Sequence, residues 1–566
     1  MRRARRNLAC VCALTALASW GAGPAVAVDD DVTSDEAPAV GTGTSKALSD
    51  YLDRARTLDA LTEALAAKDL DRSQEALLHR LRGSVYVENH EYDEAIADYS
   101  VAIGLDSANA GGHIDRAGAY WYKGDYDRAL ADYDVALRLA PDNATAHIGR
   151  GNVFRMRNET AKALAEFDAA IAMDPSQPAT FYFRGIVHAD AGGADAALDD
   201  FSAAIGLNSA YADAYRRRSV IFDARGDFDK AVADATAAIV IDPADASPYV
   251  DRGKFLLDKS DSENAIADLT TAIGLDPHMA VAYYDRAIAY ARTGKAELAM
   301  TDYDTAISLD PDNARAYSNR SALEYAAGDY DKAMSDANAA VRLNPGSVAA
   351  FGNRGMLFAL QRDFPNALGD WARVITLRPT EPDGYAGRAA VLLAEGDYLG
   401  ALKDFDTAIV LGGTVNTYQG RGVVRLALAQ YQGAAEDFQK VIDLGHANVW
   451  GILRLHIARA RSGATDLDAL ALAGGKLGAG EWPSPLFDLF LGHKPSIAVQ
   501  IDAEGGDPKT RTVRECDMGY YGGEYAVMEG DMDAARALFA RAAEDACGVF
   551  SVAREGAVAE LNRLKE

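Results

Sequence analysis

Basic side chains are in short supply in this 566-residue chain: 57 lysines and arginines stand against 84 aspartates and glutamates, a formal net charge of −27 at pH 7. A surface of that sign repels nucleic acid and anionic membranes, which excludes both as partners. Its counterparts are basic proteins or basic segments of them, unless the acidity only keeps a long molecule soluble. Cysteine is scarce too, with four residues in the whole chain. No apolar stretch is long enough to cross a bilayer, so no transmembrane segment is expected. The sequence also lacks a phosphate-binding Gly-x-x-x-x-Gly-Lys loop, a dinucleotide fingerprint and a Gly-x-Ser-x-Gly elbow. None of the nine histidines has the spacing of a zinc enzyme, His446 and His456 included. Neither a cofactor, a metal nor catalysis is expected.

What the chain does have is a period. Arginine recurs at Arg82, Arg116, Arg150, Arg184, Arg218, Arg252, Arg286, Arg320, Arg354, Arg388 and Arg421. Sixteen residues after each stands an acid: Asp98, Asp132, Glu166, Asp200, Asp234, Asp268, Asp302, Asp336, Asp370, Asp404 and Asp437. The interval is 34 residues throughout, except for 33 between Arg388 and Arg421. A fixed period of this length means one supersecondary unit stacked many times.

Counting Ala110 as position 1, each unit reads as two helices, A and B. Position 4 is aromatic or His, position 8 small, and position 20 Ala in every copy; position 24 is usually bulky. Positions 4, 8 and 11 share one face of helix A, and positions 20, 24 and 27 one face of helix B. The small residue opposite Ala lets the two backbones approach. Sequences such as Gly124-Asp125-Tyr126, Gly226-Asp227-Phe228 and Gly328-Asp329-Tyr330 are predicted to end helix A and N-cap helix B. Proline at position 32 (Pro141, Pro175, Pro243 and others) stops helix B. Position 7 and position 23 lie at similar heights across this antiparallel hairpin, which predicts a ladder of charge-assisted Arg–carboxylate pairs. The other reading is a basic stripe for an acidic ligand, and the matched acid in every copy argues against it. His113 and His147 fall at position 4, where packing explains them.

The 34-residue period and the small-8, Ala-20, bulky-24, Ala-27, Pro-32 pattern resemble the tetratricopeptide repeat family. That resemblance implies an all-α, right-handed superhelical solenoid of stacked hairpins with a concave groove lined by A helices. The chain departs from the family at position 7, where Leu is usual and Arg stands. Members that clamp a C-terminal carboxylate use Lys and Asn at positions 5 and 9. Here Ile148 accompanies Asn152 and no Lys occupies position 5, so that clamp is not expected.

Residues 1–27 read as an export leader: Arg2, Arg3, Arg5 and Arg6, an apolar run from Leu8 to Trp20, then Ala25-Val26-Ala27. Cleavage near Ala27 predicts a periplasmic or secreted protein by the general or the twin-arginine route. Losing the four leader arginines would take the net charge from −27 to −31. Residues 28–45 read as a flexible acidic linker, 46–75 as a helical half repeat, and 76–448 as eleven tandem repeats. A degenerate repeat and connecting segment is expected over 449–515, a final hairpin over 516–548 and a capping helix over 549–566. In the last, Ala553, Ala557, Leu561 and Leu564 share a face.

Cys516 and Cys547 fall at the same open end of the final hairpin, with helix A starting near Cys516 and helix B ending near Ala546. An oxidising compartment predicts a disulfide between them, worth about 3–4 kcal/mol for a loop of roughly 30 residues. The segment from Glu515 to Phe550, with the preceding Trp482-Pro483-Ser484-Pro485, is similar to the C-terminal part of NlpI-type periplasmic adaptors. That similarity implies recruitment of cell-wall hydrolases or proteases. Neither Cys10 nor Cys12 sits in a lipobox, so no lipid anchor is expected.

Positions 5, 9 and 12 of helix A are predicted to line the groove: Trp121, Ile148, Arg155, Tyr182, Ile186, Arg216, Val250, Lys254, Tyr284, Ile288 and Tyr325. A largely apolar, aromatic lining suits an extended peptide or a partner helix. The leading expectation is a non-catalytic exported scaffold that mediates protein–protein interactions in the bacterial envelope. The alternatives are a polysaccharide-export or surface-polymer binding protein, with Trp121 and tyrosines stacking on sugars, and an enzyme confined to Trp482–Thr512 served by Glu481, Asp488 or His493.

Overall fold

The computed structural model describes residues 58–66, 70–464, 467–478, 480–505 and 508–565. The expected leader, the acidic linker and the front of the half repeat lie outside the described residues. Among the described residues every regular element is a helix. They fall into two compact units, one ending at Asp302 and one beginning at Tyr303.

The first unit opens with a short helix, Leu58–Leu65, and continues as helix hairpins. In repeat 2, helix A is Ala110–Tyr122 and helix B Tyr126–Leu139. In repeat 6 they are Ser247–Asp258 and Ser262–Leu275. The hairpin closes because position 8 is small. A methyl carbon added to Gly253 would stand 2.7 Å from the Leu269 side chain at position 24. Position-20 alanines such as Ala129 and Ala265 have no exposed surface.

All eleven A helices end on a residue of positive φ at position 15. Gly124, Gly192, Gly226, Gly294, Gly328 and Gly396 adopt it freely, whereas His90, Asn158, Ser260, Arg362 and Ala429 pay a backbone cost there. Asp125 caps helix B by accepting from the Arg128 amide at 3.2 Å. The expected caps at Asp227 and Asp329 do not form. Each carboxylate instead takes a lysine three residues on, Lys230 at 2.8 Å and Lys332 at 3.2 Å.

The second unit holds repeats 8 to 11, ending with helix A Val415–Ala427 and helix B Tyr431–Asp443. Helix Val449–Arg461 follows, then three short helices. The final hairpin differs from expectation. Its first helix runs from Pro508 to Glu529 rather than starting near Cys516, because Pro508 sits at the start, where its missing N–H costs nothing. Its second helix is Met532–Ala542, with a 3-10 turn Asp545–Cys547 beyond it. Leu453, Leu486, Phe487, Met518, Tyr520, Tyr521 and Phe539 form one core here, closed by Ala553 and Ala557 of the last helix, Val552–Arg563.

Candidate functional site

The ladder is closed in every repeat. Arg252 shows its form: Nε donates to Asp268 Oδ2 at 2.7 Å and Nη2 to Oδ1 at 2.7 Å. Nine further arginines hold their aspartates by Nε and Nη2 in the same way, from Arg82–Asp98 to Arg421–Asp437. Arg150 reaches the longer Glu166 through Nη2 alone, at 2.7 Å. The side-chain bonds to the aspartates raise the affinity of these guanidinium groups for their protons, against the opposing effect of burial. These arginines are spoken for and offer no open stripe to an acidic ligand.

Two further members of the ladder escaped the sequence reading. Position 25 of the preceding repeat supplies an acceptor for Nη1: Ser100 for Arg116 at 3.0 Å, Asp134 for Arg150 at 2.8 Å, Asp168 for Arg184 at 2.7 Å, Thr236 for Arg252 at 3.0 Å. Each guanidinium thus ties two repeats. Position 25 before Arg388 is Ala372, and Arg388 is the most exposed of the eleven, at 31%. Position 4 is the other. Aromatic residues there stack on the guanidinium, as Tyr249 does on Arg252 at 5.9 Å and Phe351 on Arg354 at 5.6 Å. Where position 4 is His, Nδ1 meets the ladder acid: His79 with Asp98 at 2.9 Å, His113 with Asp132 at 3.2 Å, His147 with Glu166 at 2.7 Å. Packing alone therefore understates His113 and His147.

Burial narrows the expected groove lining. Ile148, Tyr182, Ile186, Val250 and Tyr284 are all more than nine-tenths buried. Tyr182 packs its ring 4.9 Å from Tyr211, which leads into the next repeat. The position-5 side chains Ile148, Tyr182, Val250 and Tyr284 are thus packed inside the array. The cations are engaged as well. Arg216 Nε donates to Asp251 at 2.9 Å and Lys254 Nζ to Asp223 at 3.0 Å, each pair joining neighbouring repeats. Arg155 lies 5.9 Å over the Phe183 ring. Trp121, Ile288 and Tyr325 are half-buried. Trp121 Nε1 has no hydrogen-bond partner among the described residues.

At the far end Cys516 and Cys547 form a disulfide, with 5.8 Å between their Cα atoms. Around it lies a buried polar network. Trp482 Nε1 donates to Asp517 at 3.0 Å, and Arg461 bridges Glu524 at 2.7 Å and Glu560 at 3.3 Å. Burial pushes the Asp517 carboxyl up to about 7, against the Trp482 hydrogen bond and the charge of Arg454. His493 stands 3.6 Å from Asp488 on open surface, without the burial that tunes an acid or a base. Among the described residues no three His, Cys, Asp or Glu side chains form a group that could hold a metal ion. No described helix is long and apolar enough to cross a membrane.

Family models described as tetratricopeptide repeats match residues 114–178, 184–246, 246–279, 289–323 and 320–382. These matches end well short of the segment whose likeness to NlpI-type adaptors was read from sequence. No curated protein matches the chain. Among solved structures it is similar to YrrB, a repeat protein described as having an unusual peptide-binding site, with 27% identity over 32% of this chain and 95% of that one and a TM-score of 0.28. A repeat protein from Parabacteroides merdae is 23% identical over 44% of this chain and 98% of that one, at a TM-score of 0.37. The APC/C hetero-tetramer Cut9–Hcn1 matches at 14% identity over 77% and 96%, with a TM-score of 0.41.

Proposed function

The chain belongs to the tetratricopeptide repeat family, and from that premise we propose an exported, non-catalytic adaptor that gathers proteins of the bacterial cell envelope along its A-helix face. One observation carries the reading. The charges that recur in every repeat are satisfied inside the array, so the side chains that differ from repeat to repeat on the A helices are what remains for recognition. In the first unit those are Trp121, Ile288 and the partly open pairs around Lys254, and in the second Tyr325. The acidic surface favours partners with basic segments. The leader reading supports the envelope, and the likeness to NlpI-type adaptors supports cell-wall hydrolases or proteases as the proteins gathered.

Affinity capture from envelope extracts tests this. The native chain should recover a defined set of proteins, and Trp121→Ala with Ile288→Ala should lose members of it. Retrieval of the same set by native and substituted chains would refute the A-helix reading. Amino-terminal sequencing of the exported protein should begin at Val28; a mature chain that keeps Met1 would refute export by cleavage.

A further inference from the structure

The disulfide roots a segment that runs back onto the repeats. Immediately after Cys547 the chain turns at Gly548, at φ +83°. Phe550 then packs against the core of repeats 9 and 10, which contains Phe351, Trp371, Val374 and Val391. Val552 packs against the core of repeat 11, with Val423, Leu426 and Phe438. Phe351, Val391 and Val423 belong to A helices, so this short stretch lies against cores that hold A-helix residues of three repeats. Arg554 and Glu555 follow as a buried ion pair at 3.1 Å, with Arg362 of repeat 9 contributing its charge to Glu555.

Both flanks of this stretch are anchored, mostly on the final hairpin. Upstream, Cys547 is bonded to Cys516. Downstream, Ala553 and Ala557 sit in the core of the final hairpin, with Leu561 and Leu564 packed against it. Arg563 adds a clasp by donating to the Ala427 carbonyl at 2.9 Å and to the Tyr431 hydroxyl at 3.1 Å. The final hairpin thus has its own apolar face for the last helix, and what the helix presents to the repeats is mostly charged. The Arg554–Glu555 pair lies within the segment, so its seat on the repeats rests on two apolar side chains and the charge of Arg362, and is displaceable.

We infer that residues 548–555 are a built-in ligand on the A-helix face of repeats 9 to 11, and that this face takes in trans a partner segment of the same chemistry. That chemistry is an aromatic side chain, a β-branched residue two positions on, and an adjacent Arg–Glu pair. Held at both ends, the cis segment competes at an effective concentration on the order of millimolar, so the face is shut to weak partners and opens to strong ones. This deepens the adaptor reading by naming the chemistry of one partner class. A peptide titration needs no captured protein, so its failure and the failure of the capture experiment are separate results.

The probe is a fluorescent peptide of residues 548–556, blocked at both ends, titrated by anisotropy into the full chain. A second full chain carries Phe550→Ala and Val552→Ala, which vacate both apolar seats while leaving the disulfide and the hairpin stripe in place. The vacated chain should bind the peptide at least tenfold more tightly than the native chain, and a Phe550→Ala peptide should lose that binding. Hydrogen exchange over residues 348–427 is measured on both chains. Protected repeats with no gain in peptide affinity would overturn the inference. So would loss of protection in the vacated chain, which would make the segment part of the fold and not a ligand.

Discussion

Arg252→Ala and Asp268→Ala should destabilise the array unequally, and the inequality follows from burial. The arginine side chain is 21% exposed and the aspartate 11%. Removing one partner of a fully buried pair costs about 3–5 kcal/mol, and an exposed pair is worth about 0–1 kcal/mol. Arg252→Ala strands a carboxylate nearly nine-tenths out of water, and that places it near the lower end of the buried range, about 3 kcal/mol. Asp268→Ala leaves a guanidinium that still donates to Thr236 at 3.0 Å and stacks on Tyr249, so its cost is about 2 kcal/mol. The double substitution Arg252→Met with Asp268→Leu removes both charges and should recover to within about 1 kcal/mol of native. Urea denaturation, with amide exchange read repeat by repeat, measures all of these. Stability in such arrays is a sum of repeat and nearest-neighbour terms, so the loss should centre on repeats 5 and 6 and spare repeat 1. The reasoning fails if Asp268→Ala costs more than Arg252→Ala, or if the coupling in an Arg252→Ala, Asp268→Ala cycle is below about 0.5 kcal/mol.

Ala429→Gly should stabilise repeat 11 by about 1 kcal/mol, since Ala429 holds φ at +58°; a lowered urea midpoint would contradict the strain argument. Ala372→Asp should supply the acceptor that Arg388 lacks and add no more than about 1 kcal/mol. That gain should vanish in molar salt, and one that persists there would not come from an ion pair. The C-terminal core should lose stability as pH rises from about 4 to 7. Burial holds the Asp517 carboxyl up to about 7, so the folded state keeps a proton that the unfolded chain has released. Asp517→Asn should flatten part of that slope in denaturation curves collected between pH 4 and 8, and an unchanged slope would show that Asp517 is not the group titrating.

The ladder pairs were readable because both partners keep their chemical type at a fixed offset of sixteen, a distance that one hairpin fixes. Position 25 was not readable in the same way. Its identity drifts among Ser, Asp, Thr and Asn while its role as acceptor stays the same, and it serves an arginine in the next repeat. A column of polar residues on helix B looks like solvent-facing surface until the neighbouring repeat is placed against it. Position 5 misled for a related reason. Tyr182 and Ile148 read as lining because position 5 was placed on the concave side, yet Tyr182 packs on Phe201 of helix B and on Tyr211 ahead of the next repeat, and Ile148 shares that core. At the C-terminus the apolar stripe Ala553, Ala557, Leu561 and Leu564 was visible by spacing, while the burial of Arg554, Glu555 and Glu560 was not. Burial of charge has no sequence signature when the partners are a hundred residues away, as Arg461 is from Glu560.

The ends of the ladder show what the charges are for. At the front, Arg82 has no earlier repeat to bond, and its Nη1 reaches Thr62 on the helix Leu58–Leu65 at 3.2 Å. At the back, helix Val449–Arg461 has Leu455 where the ladder arginine belongs, so Gln439 of repeat 11 would be left without its donor. Arg459, one helical turn further on, fills the gap by donating to Gln439 at 2.9 Å. A hydrophobic position 7 would bury more apolar surface and cost less desolvation, but it would add no directional hydrogen bond to the register set by packing. A bidentate guanidinium with a third bond to the previous repeat has one register in which all its hydrogens are met. The pairs therefore set where each repeat sits on the last, and the Ala-20 and position-24 contacts supply the stability that holds it there.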